Sequence, residues 1–221
     1  MRKHDVGVYV QLCDLGLTHD RAVVTVMHKR LDGICAIDRM DVWQGEPGRP
    51  VEIEMVERQM EENHRNYPLK GWYCDPYQLA ATIQKYQRLG RPIKEFTFGA
   101  ASIMRLSEAL YGAIINCRLA VPPGVGAFVD RQGKRSTFKS EVTNLVVKET
   151  NYGWRIDHKA KGFSDRSITA GMGIVVLSDL PILQPKVRSI QIDSSLVGRA
   201  KAKKRRAKRL AARAKREKEE E

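Results

Sequence analysis

The sequence predicts an α/β fold: a mixed five-stranded sheet, three antiparallel strands and then two parallel ones, flanked by helices. Three observations predict it. Residues 6–43 hold three β-rich runs joined by short turns, the apolar spacing becomes helical at residue 51, and strand–helix units follow. Residues 6–12 (VGVYVQL) form the first strand and deliver Asp14 at its end. Residues 14–17 (DLGL) read as a turn and 22–28 (AVVTVMH) as the second strand. Asp32-Gly33 is a hairpin signal, because glycine tolerates the positive φ of a tight turn, and residues 34–43 make the third strand. In residues 51–66, Val51, Met55, Val56 and Met60 recur at helical spacing with acidic residues between them. Residues 72–74 (WYC) are a short buried strand ending at Asp75-Pro76, and Pro76 suits the first turn of a helix running to residue 89. Residues 93–98 are the fifth strand. Residues 100–117 are a long helix with Ile103, Leu106, Leu110, Ile114 and Ile115 on its apolar side.

Residues 121–135, with two prolines and three glycines, read as a loop. A short helix over 138–145, a hairpin of 146–150 with 154–156, and a last apolar helix over 164–177 complete the fold. Pro181 and Pro185 close it, so residues 1–190 read as one domain and 191–221 as a basic tail, flexible or helical.

Of 221 residues, 42% are apolar and 29% charged, which permits a normal core and excludes wholesale disorder. The net charge of +13 is uneven: from Gly198 onward twelve Lys or Arg meet four Glu. A polyanionic partner is expected, nucleic acid before anionic membrane. In a helical tail Leu210 is the only large apolar side chain, which argues against a membrane-lying helix; the tail suits DNA, an acidic protein partner or mere solubility. Cys13, Cys35, Cys74 and Cys117 make no C-x-x-C pair and read as buried thiols, not as a zinc site or a disulfide framework. With no signal-peptide core and no membrane-length apolar run, the chain reads as soluble and intracellular.

Chemistry is expected where Asp14 ends the first strand, Asp75 the fourth, and Asp165 opens the last helix. If the fourth strand runs parallel beside the first, the two strand-end carboxylates sit together, and Asp165 joins them if the last helix packs over that corner. Clustered carboxylates are costly unless divalent cations lie between them, and oxygen ligands suit Mg²⁺ or Mn²⁺. The alternative is that each Asp is a turn or cap residue, Asp75-Pro76 being a good N-cap–N1 pair. Arg131, Lys134 and Arg135 in the loop are expected to touch DNA phosphates, as are Lys203, Lys204, Arg205 and Arg206 in the tail. His158, close before Asp165, is a better candidate for handling a proton than His28, though a plain polar role suits both. Trp43, Trp72 and Trp154 read as packing residues.

Asp14-Leu15-Gly16-Leu17-Thr18-His19-Asp20-Arg21 followed by AVVTVMH resembles the first nuclease motif of large terminase subunits of tailed bacteriophages. Further pieces follow in the family's order. They are Asp38-Arg39-Met40 with Val42-Trp43-Gln44-Gly45, Val51-Glu52, and Cys74-Asp75-Pro76-Tyr77-Gln78. After these come Glu95-Phe96-Thr97-Phe98, Trp154-Arg155-Ile156-Asp157-His158 and Ser164-Asp165-Arg166. The resemblance runs from about Val6 to Leu177. It implies a ribonuclease-H-like fold and a two-metal endonuclease that cuts concatemeric DNA during genome packaging. Its partners would be double-stranded DNA, a packaging ATPase, the portal and the small terminase subunit, in the host cytoplasm and away from membranes. Asp14, Asp75 and Asp165 match the family's metal ligands. Ser164 stands where the family often has a second acid, and Asp157 or Asp20 is a candidate to compensate. Large terminases also carry a P-loop motor. This sequence has no G-x-x-x-x-G-K-[ST], so an excised domain or a separate nuclease subunit is implied. A junction-resolving or structure-specific nuclease of the same fold, and a non-catalytic module binding DNA or a packaging motor, remain alternatives.

Overall fold

The computed structural model describes residues 7–181 except 19, 152, 160 and 161. The boundary expected at residue 190 and the tail cations Lys203, Lys204, Arg205 and Arg206 lie outside the described residues. Strands β1 (Gly7–Asp14), β2 (Arg21–Arg30) and β3 (Cys35–Gln44) form the antiparallel meander. Gly33, at φ +83°, closes the β2–β3 turn, with its N–H donating to the Arg30 carbonyl at 3.0 Å. Then follow α1 (Ile53–Asn66), β4 (Leu69–Cys74), α2 (Pro76–Arg88), β5 (Ile93–Glu95) and α3 (Ala100–Ile115). β4 pairs parallel to β1, and β5 parallel to β4, as expected for a mixed sheet.

A short sixth strand, β6 (Leu119–Ala120), extends the sheet beyond β3, so the order is β5-β4-β1-β2-β3-β6. It forms because Cys117 ends α3 at φ +53° and the chain turns back, with Arg118 N–H donating to the Ala113 carbonyl at 2.7 Å. β5 is shorter than the β-forming run 93–98. Phe96 makes one more bond to β4, after which Phe98 turns into the core and the Ser102 hydroxyl caps α3 by accepting from Gly99 N–H at 2.8 Å. The expected loop contains a small hairpin, β7 (Phe128–Val129) and β8 (Arg135–Ser136). After it come α4 (Phe138–Val142), the hairpin β9 (Leu145–Thr150) with β10 (Gly153–His158), and α5 (Asp165–Asp179).

Strand alternation divides the core in two. Tyr9 and Cys13 of β1 and Trp72 and Cys74 of β4 pack with Val56 and Met60 of α1 and Leu79 and Ile83 of α2. Val8, Val10 and Leu12 face the other way, onto Leu106 and Leu110 of α3 and Ala170 to Leu177 of α5. α5 is therefore buried nearly all round. Gly171 lets it approach α3: a Cβ there would stand 2.7 Å from the Leu106 carbonyl oxygen. Trp72 is buried against Tyr86, and Trp154 packs edge-on to Tyr111.

Candidate active site

Cys13 of β1 is the register partner of Cys74 of β4, so the next residues, Asp14 and Asp75, leave adjacent parallel strands at the same end of the sheet. With Cys13 and Cys74 directed toward α1 and α2, alternation turns both aspartates toward α5. Asp165 is the first residue of α5. The start of that helix is pinned over the same corner by a 2.9 Å bond between the Thr169 and Thr25 hydroxyls, the latter on β2.

The electrostatics show that these acids feel one another. Asp14 is pushed well above the usual carboxylate range, first by burial and then by the charges of Asp165, Asp75, Asp20 and Glu141. Asp165 is raised to about 7 by burial, Glu141 and Asp20, against the backbone N–H groups of Asp165 and Arg21, which favour its ionised form. Asp20 belongs because the turn after β1 folds back, bringing its backbone against Gly16. Asp75 has a second occupation as N-cap of α2, accepting from Tyr77 N–H at 3.3 Å. Its cap and cluster roles coexist, since a carboxylate has two oxygens.

Asp157 stands apart. It is paired with Lys148 Nζ at 2.8 Å and Arg155 Nη2 at 2.9 Å, and accepts from His158 N–H at 2.7 Å. Burial raises its pKa, but these partners outweigh burial and hold it below the usual range. His158 Nδ1 donates to the Lys159 carbonyl at 2.9 Å. His28 pairs with Asp38 at 2.7 Å and stacks on Tyr9. It sits five residues along β2 from Val23, the partner of Asp14, which is roughly 17 Å away.

Glu141, absent from the sequence-based candidates, organises the corner. This buried α4 carboxylate accepts from Arg166 Nη1 and from the Ser167 N–H and hydroxyl, each at 2.9 Å. Arg166, 0% exposed, also donates to the Gly126 carbonyl at 2.8 Å and the Ser136 hydroxyl at 3.1 Å. An arginine in the first turn of a mostly apolar helix was the available signal, since a buried guanidinium requires a counter-charge. Beside this pair opens a cleft of about 520 Å³ whose lining includes Arg21, Lys134, Arg135, Lys159, Phe163 and Arg166. Lys134 and Arg135 thus face the cleft. Arg131 pairs with Glu46 at 2.8 Å and faces a separate pocket.

Among the described residues no group of three or more His, Cys, Asp or Glu side chains is gathered closely enough to make a metal cage as it stands. The donor set nevertheless fits a hard cation: it is all carboxylate, mutually repelling, and Asp165 Oδ2 is buried with no hydrogen-bond partner among the described residues.

The structure resembles the large terminase nuclease of thermophilic phage G20c solved with bound magnesium, at 14% identity and TM-score 0.58, over 76% of this chain and 81% of that one. A further structure of that nuclease aligns at 16% identity and TM-score 0.56, over 75% of this chain and 80% of that one. The fold is that of a large terminase nuclease. The large terminase of bacteriophage HK97 aligns at 14% identity and TM-score 0.53, over 75% of this chain but 39% of its own. No protein-family model matches the sequence, and no curated protein matches it. Among the described residues no helix is long and apolar enough to cross a membrane. On this terminase-nuclease fold the acids occupy the strand ends of β1 and β4 and the start of α5.

A pH signature follows. Asp165 keeps its proton to about 7 in the folded chain but loses it near about 4 when unfolded. Between those values the folded state binds more protons, so this group's stabilisation is full below about pH 4 and is lost as pH rises toward 7. In metal-free urea titrations, Asp165→Asn should gain on wild type across this window and hold a constant advantage above it. A difference that does not change with pH would refute the buried-carboxyl reading.

Proposed function

We propose that this chain is a divalent-metal-dependent DNA endonuclease that cuts concatemeric viral DNA during genome packaging. The observation that carries the reading is Asp14, a strand-end carboxylate whose ionisation is opposed by four neighbouring acids on a terminase-nuclease fold. Asp14, Asp75 and Asp165 would hold Mg²⁺ or Mn²⁺, with Asp20 as the additional acid in place of Ser164. Asp157 is engaged by Lys148 and Arg155 and is the weaker choice. Two such ions would supply Lewis-acid activation of a water and neutralise charge on the departing 3′ oxygen.

The chain's own contribution is to keep several acids together without cancelling their charge. Asp165, raised to about 7, holds its proton below neutrality and would give it up on binding a cation. Glu141 and Arg166 hold the start of α5, and with it Asp165, against α4 and the β7–β8 hairpin. Lys134 and Arg135 attract DNA through its phosphates, giving affinity without sequence preference. In this role the chain works in the host cytoplasm with a packaging ATPase, the portal and the small terminase subunit. The test is incubation of the whole chain with supercoiled plasmid and Mn²⁺ beside Asp14→Ala. Wild type should nick or linearise the plasmid and the variant should not. Equal cleavage by both, or binding without cleavage by wild type under Mg²⁺ and Mn²⁺, overturns the assignment.

A further inference from the structure

We propose that Arg21 is a phosphate clamp: its guanidinium, in the wall of the cleft at the sheet end that carries the acids, grips one backbone phosphate of the bound DNA, an assignment that rests on the nuclease reading above. Arg21 opens β2, and its Cα partner is Gln44 of β3. Val23, two residues on, pairs with Asp14, so Arg21 lies at the sheet end that carries the acids. Its backbone N–H favours the ionised form of Asp165 and its side chain lines the cleft.

The side chain is held at three points. Nε donates to Gln44 Oε1 at 3.2 Å, and the guanidinium carbon lies 3.8 Å from the Phe163 ring centroid and 5.1 Å from that of Phe128. It is 5% exposed; the charges of Glu141, Asp165 and Asp130 act on it, yet among the described residues none of these carboxylates meets it as an ion pair, and Gln44 is the one acceptor it meets. A guanidinium so far withdrawn from water ordinarily has an anion in direct contact with it. Arg166, its neighbour in the cleft, has such an anion in Glu141 and uses its donors on Glu141, Gly126 and Ser136.

The acids on the cleft wall are already occupied. Asp130 Oδ1 accepts from the backbone N–H of Gln132 and Lys134, and Glu141 is bound by Arg166 and Ser167. Arg21 therefore presents its η nitrogens to a cleft rimmed by Lys134, Arg135 and Lys159. A planar fork with fixed orientation matches the paired non-bridging oxygens of a phosphodiester. A lysine would carry the charge without the fork or the stacking.

The test measures binding of the full chain to a short blunt duplex in EDTA, where no cleavage occurs, as a function of salt, for wild type, Arg21→Gln and Arg21→Lys. Arg21→Gln should bind about tenfold more weakly at low salt and lower the log–log salt slope by about one, the signature of one lost phosphate contact. Arg21→Lys should keep the slope while losing part of the affinity. Thermal unfolding of the three proteins separates this from loosened packing, which lowers the midpoint without altering the slope. A wild-type salt slope in Arg21→Gln overturns the clamp, as does wild type that binds the duplex without salt dependence. Failure of the plasmid assay with a lowered slope in Arg21→Gln would remove the nuclease activity and leave the phosphate site standing.

Discussion

Asp14→Asn is expected to lose cleavage by at least about a thousandfold, which corresponds to about 4 kcal/mol of transition-state stabilisation. In metal-free buffer at pH 8 it should also resist urea better than wild type. The two results have one cause. Asp14 is half-buried among Asp165, Asp75, Asp20 and Glu141, so its ionised form is the destabilised one. Asparagine keeps the shape and removes the charge, for an expected gain on the order of 1–2 kcal/mol, the usual scale when an active-site strain is relieved. Because the folded pKa is raised, the advantage should vanish at low pH, where wild type is protonated in both states. Saturating Mn²⁺ should reverse the order, since a ligand stabilises the protein that binds it by about 2.7 kcal/mol at a hundred times its Kd. Urea titrations with EDTA and with Mn²⁺ decide the matter. An asparagine variant less stable than wild type in EDTA would remove the physical basis of the acid cluster.

Glu141→Ala should destabilise the protein by about 3–5 kcal/mol, the range for stranding a buried charge. Arg166 would keep only the Gly126 carbonyl and the Ser136 hydroxyl, and Ser167 would lose the acceptor of both its backbone and its hydroxyl bond. Glu141→Gln should cost less, because an amide oxygen can still accept from Ser167. The alanine variant should also lower the Asp165 pKa, since Glu141 is the largest charge acting on it after burial. Urea unfolding gives the stability, and its pH dependence gives the Asp165 shift. A loss below about 1 kcal/mol would place Glu141 among ordinary surface acids.

The strand-end acids were legible because alternation and the Asp75-Pro76 helix start fix which way a chain leaves a strand. The meander, the α1/β4/α2 unit and α5 were legible for the same reason: long periodic runs declare their own partners. Glu141 was not legible. Arg166, at the head of a helix that is apolar from Ala170 to Leu177, demands an acid once that helix is buried, but a sequence does not say which of 26 acidic residues answers it. The β7–β8 hairpin was not legible because its strands are two residues long, too short to alternate, and its turn depends on Asp130 and on Gly133 at φ +75°. The place of Arg21 was not legible either. Its stacking on Phe163 joins segments 142 positions apart, beyond the reach of local pattern. Asp157, a candidate to compensate for Ser164 by resemblance alone, is engaged by Lys148 of β9 and by Arg155, pairings between side chains that a sequence does not display.

The burial of α5 also bears on synthesis. A ribosome that has made everything through β10 has produced a sheet with one face roofed by α1 and α2 and the other lacking Ala170, Met172 and Leu177. The same docking that seals this second face delivers the last acid, Asp165, to the strand ends. Chain growth thus sets the order of events, hydrophobic closure and assembly of the acids coinciding, so a nascent polypeptide acquires its full complement of acids only as it becomes a folded one.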